Sequence, residues 1–316
     1  MRRLDNIDLR LLRVFVALVE AGSFSAAQIA LNLGQSTLSG HLAALERTLG
    51  GGPLCQRGRR GFRLTPFGEA TLRAARQLFA DIDTFQQRLG EFNGALVGRL
   101  RLGVVDGVVS STWLGLQGAV GRYMAQAENV FIDLELGTPH DLERAIAEGR
   151  RDVVVGPFAQ KAPGVVFLPL YREPHALYCG RGHPLFAAPA SAIDQAAIER
   201  CAFSVRSYRL LEDLYRVGHP RASAGVVHME AQVMLILSGR FIGFLPRHIG
   251  EGWVDLGLMR PLKPQTYHFE SHHYVAYRSS DAERPLVQTF VRELVGAVPP
   301  REDRIPRQPG RSVPPA

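Results

Sequence analysis

The sequence predicts an α/β protein that carries a small all-α module at its N-terminus. Up to about residue 92 the apolar residues recur at spacings of three and four, the period of helices. Beyond it, short β-branched runs alternate with helical stretches, the order that builds a parallel sheet with crossover helices. The 316 residues leave room for about two ordinary domains. At 46% hydrophobic and 21% charged residues, the chain has the composition to bury real cores.

A first helix is expected from Asp8, where Leu9, Leu12, Phe15, Val16 and Val19 share one face and Gly22 supplies the stop signal. Ser23 to Leu31 reads as a short Ala-rich helix whose small side chains let a neighbour approach, and Asn32-Leu33-Gly34 makes the turn. A third helix follows from Gln35 to about Leu49, with Leu38, Leu42 and Leu45 inward and Ser36, Thr37, Ser39 and His41 outward. Two helices across a three-residue turn, the second with short polar side chains in its first turns, form a helix-turn-helix with a recognition helix. Gln, Ser and Thr at such a helix start reach base edges or phosphates, and the helix dipole favours the phosphate. A plain three-helix bundle with ordinary caps also fits this stretch taken alone.

The segment Gln56-Arg57-Gly58-Arg59-Arg60-Gly61-Phe62-Arg63-Leu64-Thr65 reads as a β-hairpin wing, making the module a winged helix-turn-helix. Its arginines Arg57, Arg59, Arg60 and Arg63 suit a phosphate backbone, the bland alternative being a solvated charge run. Of the net charge of +7, the first 90 residues carry +5, from twelve arginines against seven acids. A basic module on a near-neutral remainder points to a polyanionic partner, most simply nucleic acid. Thr65-Pro66 then caps and opens a long helix over 66–92, striped by Leu72, Ala75, Phe79, Ile82, Phe85 and Leu89. Such a stripe needs a partner, and a second copy of the helix, giving a dimer, is the economical one.

These residues carry a resemblance. Ala21-Gly22-Ser23-Phe24-Ser25-Ala26-Ala27, Gln35-Ser36-Thr37-Leu38-Ser39 and Leu45-Glu46, followed by Leu54-Cys55-Gln56-Arg57 and Leu64-Thr65-Pro66-x-Gly68, resemble the LysR-type transcriptional regulators across residues 8–92. The resemblance implies double-stranded DNA as a partner, with contacts at Gln35, Ser36, Ser39, Arg57 and the wing arginines; Thr37 and His41 join them by geometry. It also implies a homotetramer bound upstream of a promoter that helps or hinders RNA polymerase. The sequence departs from the family in having Gly34 where a Ser cap is usual and Gly40 where a basic residue is common. Gly50-Gly51-Gly52-Pro53 is one residue longer than usual. Altered operator preference or weaker binding is the expected result.

In the C-terminal two thirds, Arg99 to Val105, Phe131 to Leu136 and Asp152 to Val155 are expected as strands, with helices from Ser111 to about Gln126 and from Pro139 to Gly149. A second α/β block follows, with strands at Pro174–Cys179, Cys201–Val205, Ala224–Val227 and Phe241–Phe244 and a helix at Met229–Ser238. Tyr267 to Arg278 is a long extended segment able to cross back, and Ala282 to Leu294 a closing helix. Two α/β lobes joined by two crossings make a periplasmic-binding-protein-like clamshell, which also resembles the LysR effector domain, best at Phe241-Ile242-Gly243-Phe244-Leu245-Pro246. The expected division is a winged helix-turn-helix at 1–65, a linker helix at 66–92 and an effector domain at 93–298. Lobe I would comprise 93–170 and 274–298, lobe II 171–273, with a disordered tail at 299–316. The resemblance implies a small-molecule effector between the lobes, and matching positions place Ser110 and Ser111 at the first helix N-terminus, Thr138 at the second, Ser204 and Arg206 after a second-lobe strand, and His228-Met229 before the next helix. Hydroxyls at helix N-termini and Arg206 suit a carboxylate. Thr138-Pro139-His140-Asp141 is equally a sufficient capping sequence, and Asp106 at a strand end favours a cationic or hydroxyl-bearing ligand instead.

Other classes find less support. No run of 18 apolar residues suits a membrane span, and the start Met1-Arg2-Arg3-Leu4-Asp5 runs into charges, so a cytoplasmic protein is expected. Cys55, Cys179 and Cys201 suggest buried thiols rather than a disulfide framework. His272 and His273 fall on opposite faces of an extended segment, which argues against a metal site with His268. No nucleophile elbow and no Gly-rich phosphate fingerprint appears, so neither catalysis nor a cofactor is expected. The rivals are a solute-binding protein, an enzyme with an appended DNA-binding domain, and a ligand-independent regulator whose cleft is filled by Trp113, Phe158 and Phe244.

Overall fold

The computed structural model describes residues 6–58, 61–92, 96–111, 114–159 and 161–297. Arg59, Arg60, Trp113 and the tail from residue 298, for which expectations were stated, lie outside the described residues. The chain divides into two compact units, Met1–Arg88 and Leu89–Ala316.

In the first unit, helices α1 (Asn6–Ala21), α2 (Phe24–Leu31) and α3 (Gln35–Leu49) are followed by strands β1 (Cys55–Gly58) and β2 (Gly61–Leu64) and the helix α4 (Pro66–Phe92). Ser23 Oγ caps α2 by accepting from Ala26 N at 3.1 Å, and Asn32 ends it in the left-handed region. The side chains of Phe15, Leu18, Leu38, Leu45 and Leu54 are fully buried between the helices, and fully buried Ala27 allows their close approach. The wing is tied to this core at both ends. Phe62 meets Phe24 edge-on at 5.8 Å, and Glu46 Oε1 accepts from Leu54 N at 2.8 Å. Thr65 Oγ1 donates to Pro53 O at 2.7 Å while accepting from Gly68 N at 3.0 Å. A Cβ at Gly68 would fall 1.9 Å from Leu54 O, which explains the glycine of the Thr-Pro-x-Gly stretch.

The second unit is a nine-stranded sheet flanked by helices. Its strands are β3 (Val97–Val104), β4 (Asn129–Leu136), β5 (Val153–Gly156), β6 (Val165–Gly180), β7 (Ala202–Arg206), β8 (Ala224–Val226), β9 (Phe241–Pro246), β10 (Met259–Pro261) and β11 (His268–Arg278). Their order is β4-β3-β5-β11-β6-β9-β7-β8, with β10 also on β6. The helices are α5 (Leu116–Gln126), α6 (Pro139–Ala147), α7 (Gln195–Glu199), α8 (Leu210–Val217), α9 (Met229–Leu237), α10 (Arg247–Asp255) and α11 (Pro285–Ala297). One core fills lobe I around Leu100, Leu102, Tyr123, Val154 and Phe290, and separate cores fill lobe II around Leu177, Phe203 and Phe244 and around Met229 and Ile236. Strands β6 and β11 pair antiparallel along their length and run through both lobes.

Three elements differ from the sequence reading for identifiable reasons. The expected helix from Ser111 begins at Leu116, because Val108–Ser110 form a 3-10 turn and Gly115 sits at φ +58. Ser110 and Ser111 are therefore not at a helix N-terminus. Strand β6 runs unbroken for 16 residues through Pro169 and Pro174. Pro169 lies at the β-bulge opposite His273 and Tyr274, and Pro174 lies one residue before pairing with β9 begins at His175, positions where a missing N–H is tolerated. Helix α10 hides behind Gly250 and Gly252; a Cβ at Gly250 would come within 2.2 Å of the Tyr178 ring on the sheet.

Lobe I is stitched by one buried carboxylate at the start of β5. Asp152 is fully buried, accepts from Arg101 N, Nε and Nη2 at 2.8, 3.1 and 2.8 Å, and from Arg284 Nη1 at 2.7 Å. Burial alone would raise its pKa, but the hydrogen bonds and charges of Arg101 and then Arg284 outweigh it and hold the group below the usual range. Its stabilisation is present above the unfolded value of about 4 and is lost as pH falls through the lower native value. Asp152→Asn takes from the buried Arg284 its 2.7 Å carboxylate partner and leaves it beside Asp281 at 3.6 Å. Urea unfolding at pH 7 is expected to show a loss of about 3 kcal/mol, shrinking as pH drops below about 4.

Candidate functional site

The outward face of α3 gathers the residues picked from the sequence. Gln35, Ser36 and Thr37 are exposed, Ser39 and His41 half-buried, and Leu38, Leu42 and Leu45 buried on the opposite face. Gly34 takes the N-cap position with extended backbone and no side-chain bond to the first turn, leaving those amides to an external acceptor. Arg63 on β2 is exposed, and Arg57 belongs to β1, opposite Phe62 in the ladder. A Cβ at Gly40 would meet nothing within 4 Å, so the missing side chain there is an open surface position.

In the second unit the predicted ligand residues divide into three groups. Asp106, just past β3, reaches from lobe I to lobe II: its carboxylate accepts from Met229 N at the start of α9, and His228 Nδ1 lies 3.5 Å away. Ser110 Oγ and His248 Nδ1 on α10 form a second bridge at 3.0 Å, while Ser111 is buried with its side chain turned to Tyr171. These residues clasp the lobes together. Thr138 caps α6, accepting from Asp141 N at 3.2 Å and donating to Asp141 Oδ2 at 2.7 Å, so its hydroxyl is engaged in capping. Ser204 and Arg206 are both buried, and among the described residues Arg206 Nε and Nη2 have no hydrogen-bond partner. Ser204 Oγ donates to Ile242 O at 3.1 Å, its carbonyl accepts from Gln232 at 3.0 Å, and buried Arg206 lies with Asp213 at 3.9 Å and over Tyr208.

Behind the clasp lies a buried polar cluster that sequence reasoning missed. Glu173 accepts from His248 Nε2 at 3.1 Å and His273 Nε2 at 3.2 Å, with His175 Nε2 at 3.5 Å. Burial pushes its pKa up, but the charge of His273 and the hydrogen bonds of His248 and His273 bring it well below the ordinary value. Burial also pushes His175 well below the ordinary imidazole value, the nearby Glu173 opposing it. The alternation on β11 leaves His268 and His272 exposed and His273 buried, as the extended pattern predicts. Among the described residues no cluster of His, Cys, Asp and Glu is arranged to hold a metal ion.

Beside the clasp a cavity of about 600 Å³ opens between the start of α6, the end of β5, the turn before α8, and β11. Glu143, Glu212, Glu270, Arg209, Tyr208 and Phe158 are among its walls. None of these was singled out as polar ligand contacts from the sequence; they come from separate elements with no shared spacing.

The two units find their counterparts in known protein families. A family model described as a bacterial regulatory helix-turn-helix protein of the lysR family matches residues 9–69, and the LysR substrate binding domain matches residues 93–299. The chain belongs to the LysR family. It is a LysR-type transcriptional regulator, and it is similar to the HTH-type transcriptional activator BauR of Pseudomonas aeruginosa, at 36% identity over 92% of this chain and 95% of that protein. Two solved structures share the LysR fold. A full-length OxyR variant from Pseudomonas aeruginosa matches with a TM-score of 0.63 at 19% identity, covering 98% of this chain and 100% of that one. Full-length CbnR in complex with its target DNA matches with a TM-score of 0.58 at 18% identity, covering 92% and 99%. Among the described residues no helix is long and apolar enough to cross a membrane.

For a LysR-type α3, the open position at Gly40 yields a direct test. Gly40→Arg is expected to stabilise the helix by up to about 1 kcal/mol. It should also steepen the dependence of log affinity on log salt by about 0.9 through one added phosphate contact. Anisotropy titrations at several salt concentrations measure it; an unchanged slope would mean that this face does not approach the backbone.

Proposed function

We propose that this regulator reads DNA with α3 and the wing, pairs through α4, and is controlled by a small molecule held between its two lobes. The observation that supports the DNA reading best is the exposed polar face Gln35, Ser36 and Thr37 beside an uncapped helix start, on a basic module. Ser39, His41, Arg57, Arg59, Arg60 and Arg63 complete the proposed contact set, the short side chains addressing bases and the arginines phosphates. Pairing is supported by Phe85 and Leu89, one helical turn apart on α4 and 61% and 55% exposed. A dimer of such dimers, acting at a promoter in the cytoplasm with RNA polymerase and without catalysis, is the assembly we propose.

Control would work through the clasp. Asp106 to Met229 and Ser110 to His248 set the relative position of the lobes, and a ligand in the adjoining cavity shifts that position by binding one arrangement better than the other. Of the aromatic side chains that would fill the cleft in the rival reading, Phe158 and Phe244 leave the cavity open, and Trp113 lies outside the described residues. Phe244 belongs to the lobe II core and Phe158 packs on Phe167 in lobe I, beside a cavity that stays open.

The decisive experiment selects bound duplexes from a random pool and measures affinity for the selected and a scrambled sequence. Gln35→Ala is expected to cost about 1–3 kcal/mol on the selected sequence and little on the scrambled one. Arg63→Ala should weaken both and reduce the salt slope by about 0.9. Wild-type affinity in both variants would remove α3 and the wing as the reading elements.

A further inference from the structure

Two guanidinium groups beside the interlobe cavity are short of hydrogen-bond acceptors. Arg206 ends β7 with its side chain 4% exposed, and among the described residues neither its Nε nor its Nη2 has a partner. Arg209, three residues on, lines the cavity. Its Nη1 donates to Ser271 Oγ at 2.8 Å and its Nη2 lies 3.0 Å from Glu212, but its buried Nε is also unpartnered. The carboxylate between the two arginines does not fill these positions. Asp213 Oδ2 is 3.9 Å from Arg206 Nε and Asp213 Oδ1 is 3.9 Å from Arg209 Nε, both too long for a hydrogen bond, and Oδ1 itself lacks a partner. Glu173, the other buried carboxylate acting on Arg206, spends its oxygens on His248 and His273.

Buried N–H groups of a charged side chain are costly to leave unsatisfied, so three of them on two neighbouring arginines mark a place that an acceptor completes. That place adjoins the cavity. The Tyr208 ring, whose centroid is 5.8 Å from the Arg206 guanidinium, lines the cavity next to Arg209. Glu212 holds Arg209 only from the surface: its side chain is 56% exposed, solvent screens the pair, and an incoming carboxylate displaces it at little cost. A carboxylate also presents the planar, two-oxygen edge that a guanidinium fork matches. The remaining walls define the body of the ligand. Pro157, Phe158 and Tyr274 offer it apolar surface, while Glu143 and Glu270 repel a second carboxylate.

We propose that the effector is a monocarboxylate with an apolar body, its head group received by Arg209 on the cavity wall and by Arg206 behind Tyr208. This rests on the reading of the cleft as the effector site. The carboxylate is the class expected from the sequence, but its receiving groups change. Thr138 is engaged in capping and Ser204 in the sheet, so the role passes to Arg206 together with Arg209, which the sequence pattern did not single out.

The test uses the full chain and probes matched in shape but not in charge, at constant ionic strength. Butyrate, hexanoate, benzoate and phenylacetate are compared with their carboxamides, with amines of the same carbon skeletons, and with succinate and adipate, by thermal unfolding and calorimetric titration. The monocarboxylates are expected to bind and raise the melting temperature, and the other probes to leave it unchanged. Arg209→Gln and Arg206→Met should each weaken the monocarboxylate by about ten-fold or more. Ligand-free melting curves report that each variant folds, and Arg206→Met should melt no lower than the wild type because it removes unsatisfied buried N–H groups. Ala159→Trp, which fills the cavity, should abolish binding of every probe. Carboxamide or amine binding that Ala159→Trp removes would overturn the carboxylate assignment and leave the cleft reading standing. Silence from all probes would overturn both. Monocarboxylate binding retained in both arginine variants, or a sharp fall in the melting temperature of Arg206→Met, would overturn the role given to the arginines.

Discussion

The C-terminal unit depends on a carboxylate buried where its two long strands run from one lobe into the other. Glu173 sits on β6 with His175 two residues on, and β11 presents His273 directly to it. An ionised group inside a core is costly unless its lone pairs are filled, and here imidazoles from two strands and α10 fill them. The consequence reaches beyond the cluster. Because His248 donates to Glu173 through Nε2, its Nδ1 is left facing Ser110 in lobe I, and the position of α10 becomes coupled to the 3-10 turn after β3. Removing the charge of Glu173 would free α10 from the crossing strands and Ser110 from α10.

The clasp formed by Asp106 gives this coupling a second arm. Met229 N is one of the unpaired amides at the start of α9, and a lobe I carboxylate satisfies it where a cap from the same lobe would be usual. Gly107 next to Asp106 is at φ +78, and a Cβ there would press on Ile249 and Met229 at 3.0 and 3.2 Å. The close approach of the lobes thus requires a glycine beside the carboxylate that joins them. Two polar bridges and one tight backbone passage give the lobes a defined relative position from which a ligand can move them.

What could be read from the sequence follows from how local the determining physics is. Helix α3 was legible at both ends, Gln35 and Leu49, because its face pattern and its glycine boundaries are written within fifteen residues. The wing was legible because arginines and glycines alternate with Phe62 and Leu64 in one short run. The helix expected at Ser111 failed because Gly115 breaks the backbone where polarity alone suggested a cap. The unbroken β6 was hidden because its two prolines are tolerated by a bulge and a pairing boundary, both properties of neighbouring strands. The candidate site was the least legible part. Ser204 and Arg206 carry suitable chemistry, yet Gly243 lies so near Ser204 that a Cβ would come within 2.6 Å of its hydroxyl, fixing it in the sheet. Arg209 and Ser271 acquire a shared meaning only when β11 and the turn before α8 are folded around one space.

The charge of the chain is unevenly placed along the sequence, because the first 90 residues hold +5 of the net +7. A polyanion is attracted to that module. A small molecule that alters DNA binding from the second unit has to act by favouring one arrangement of its lobes over another. The effector's influence on DNA is then set by how much better it fits one arrangement of the Asp106 and Ser110 bridges than another, and that differential affinity bounds the largest regulatory effect it can have.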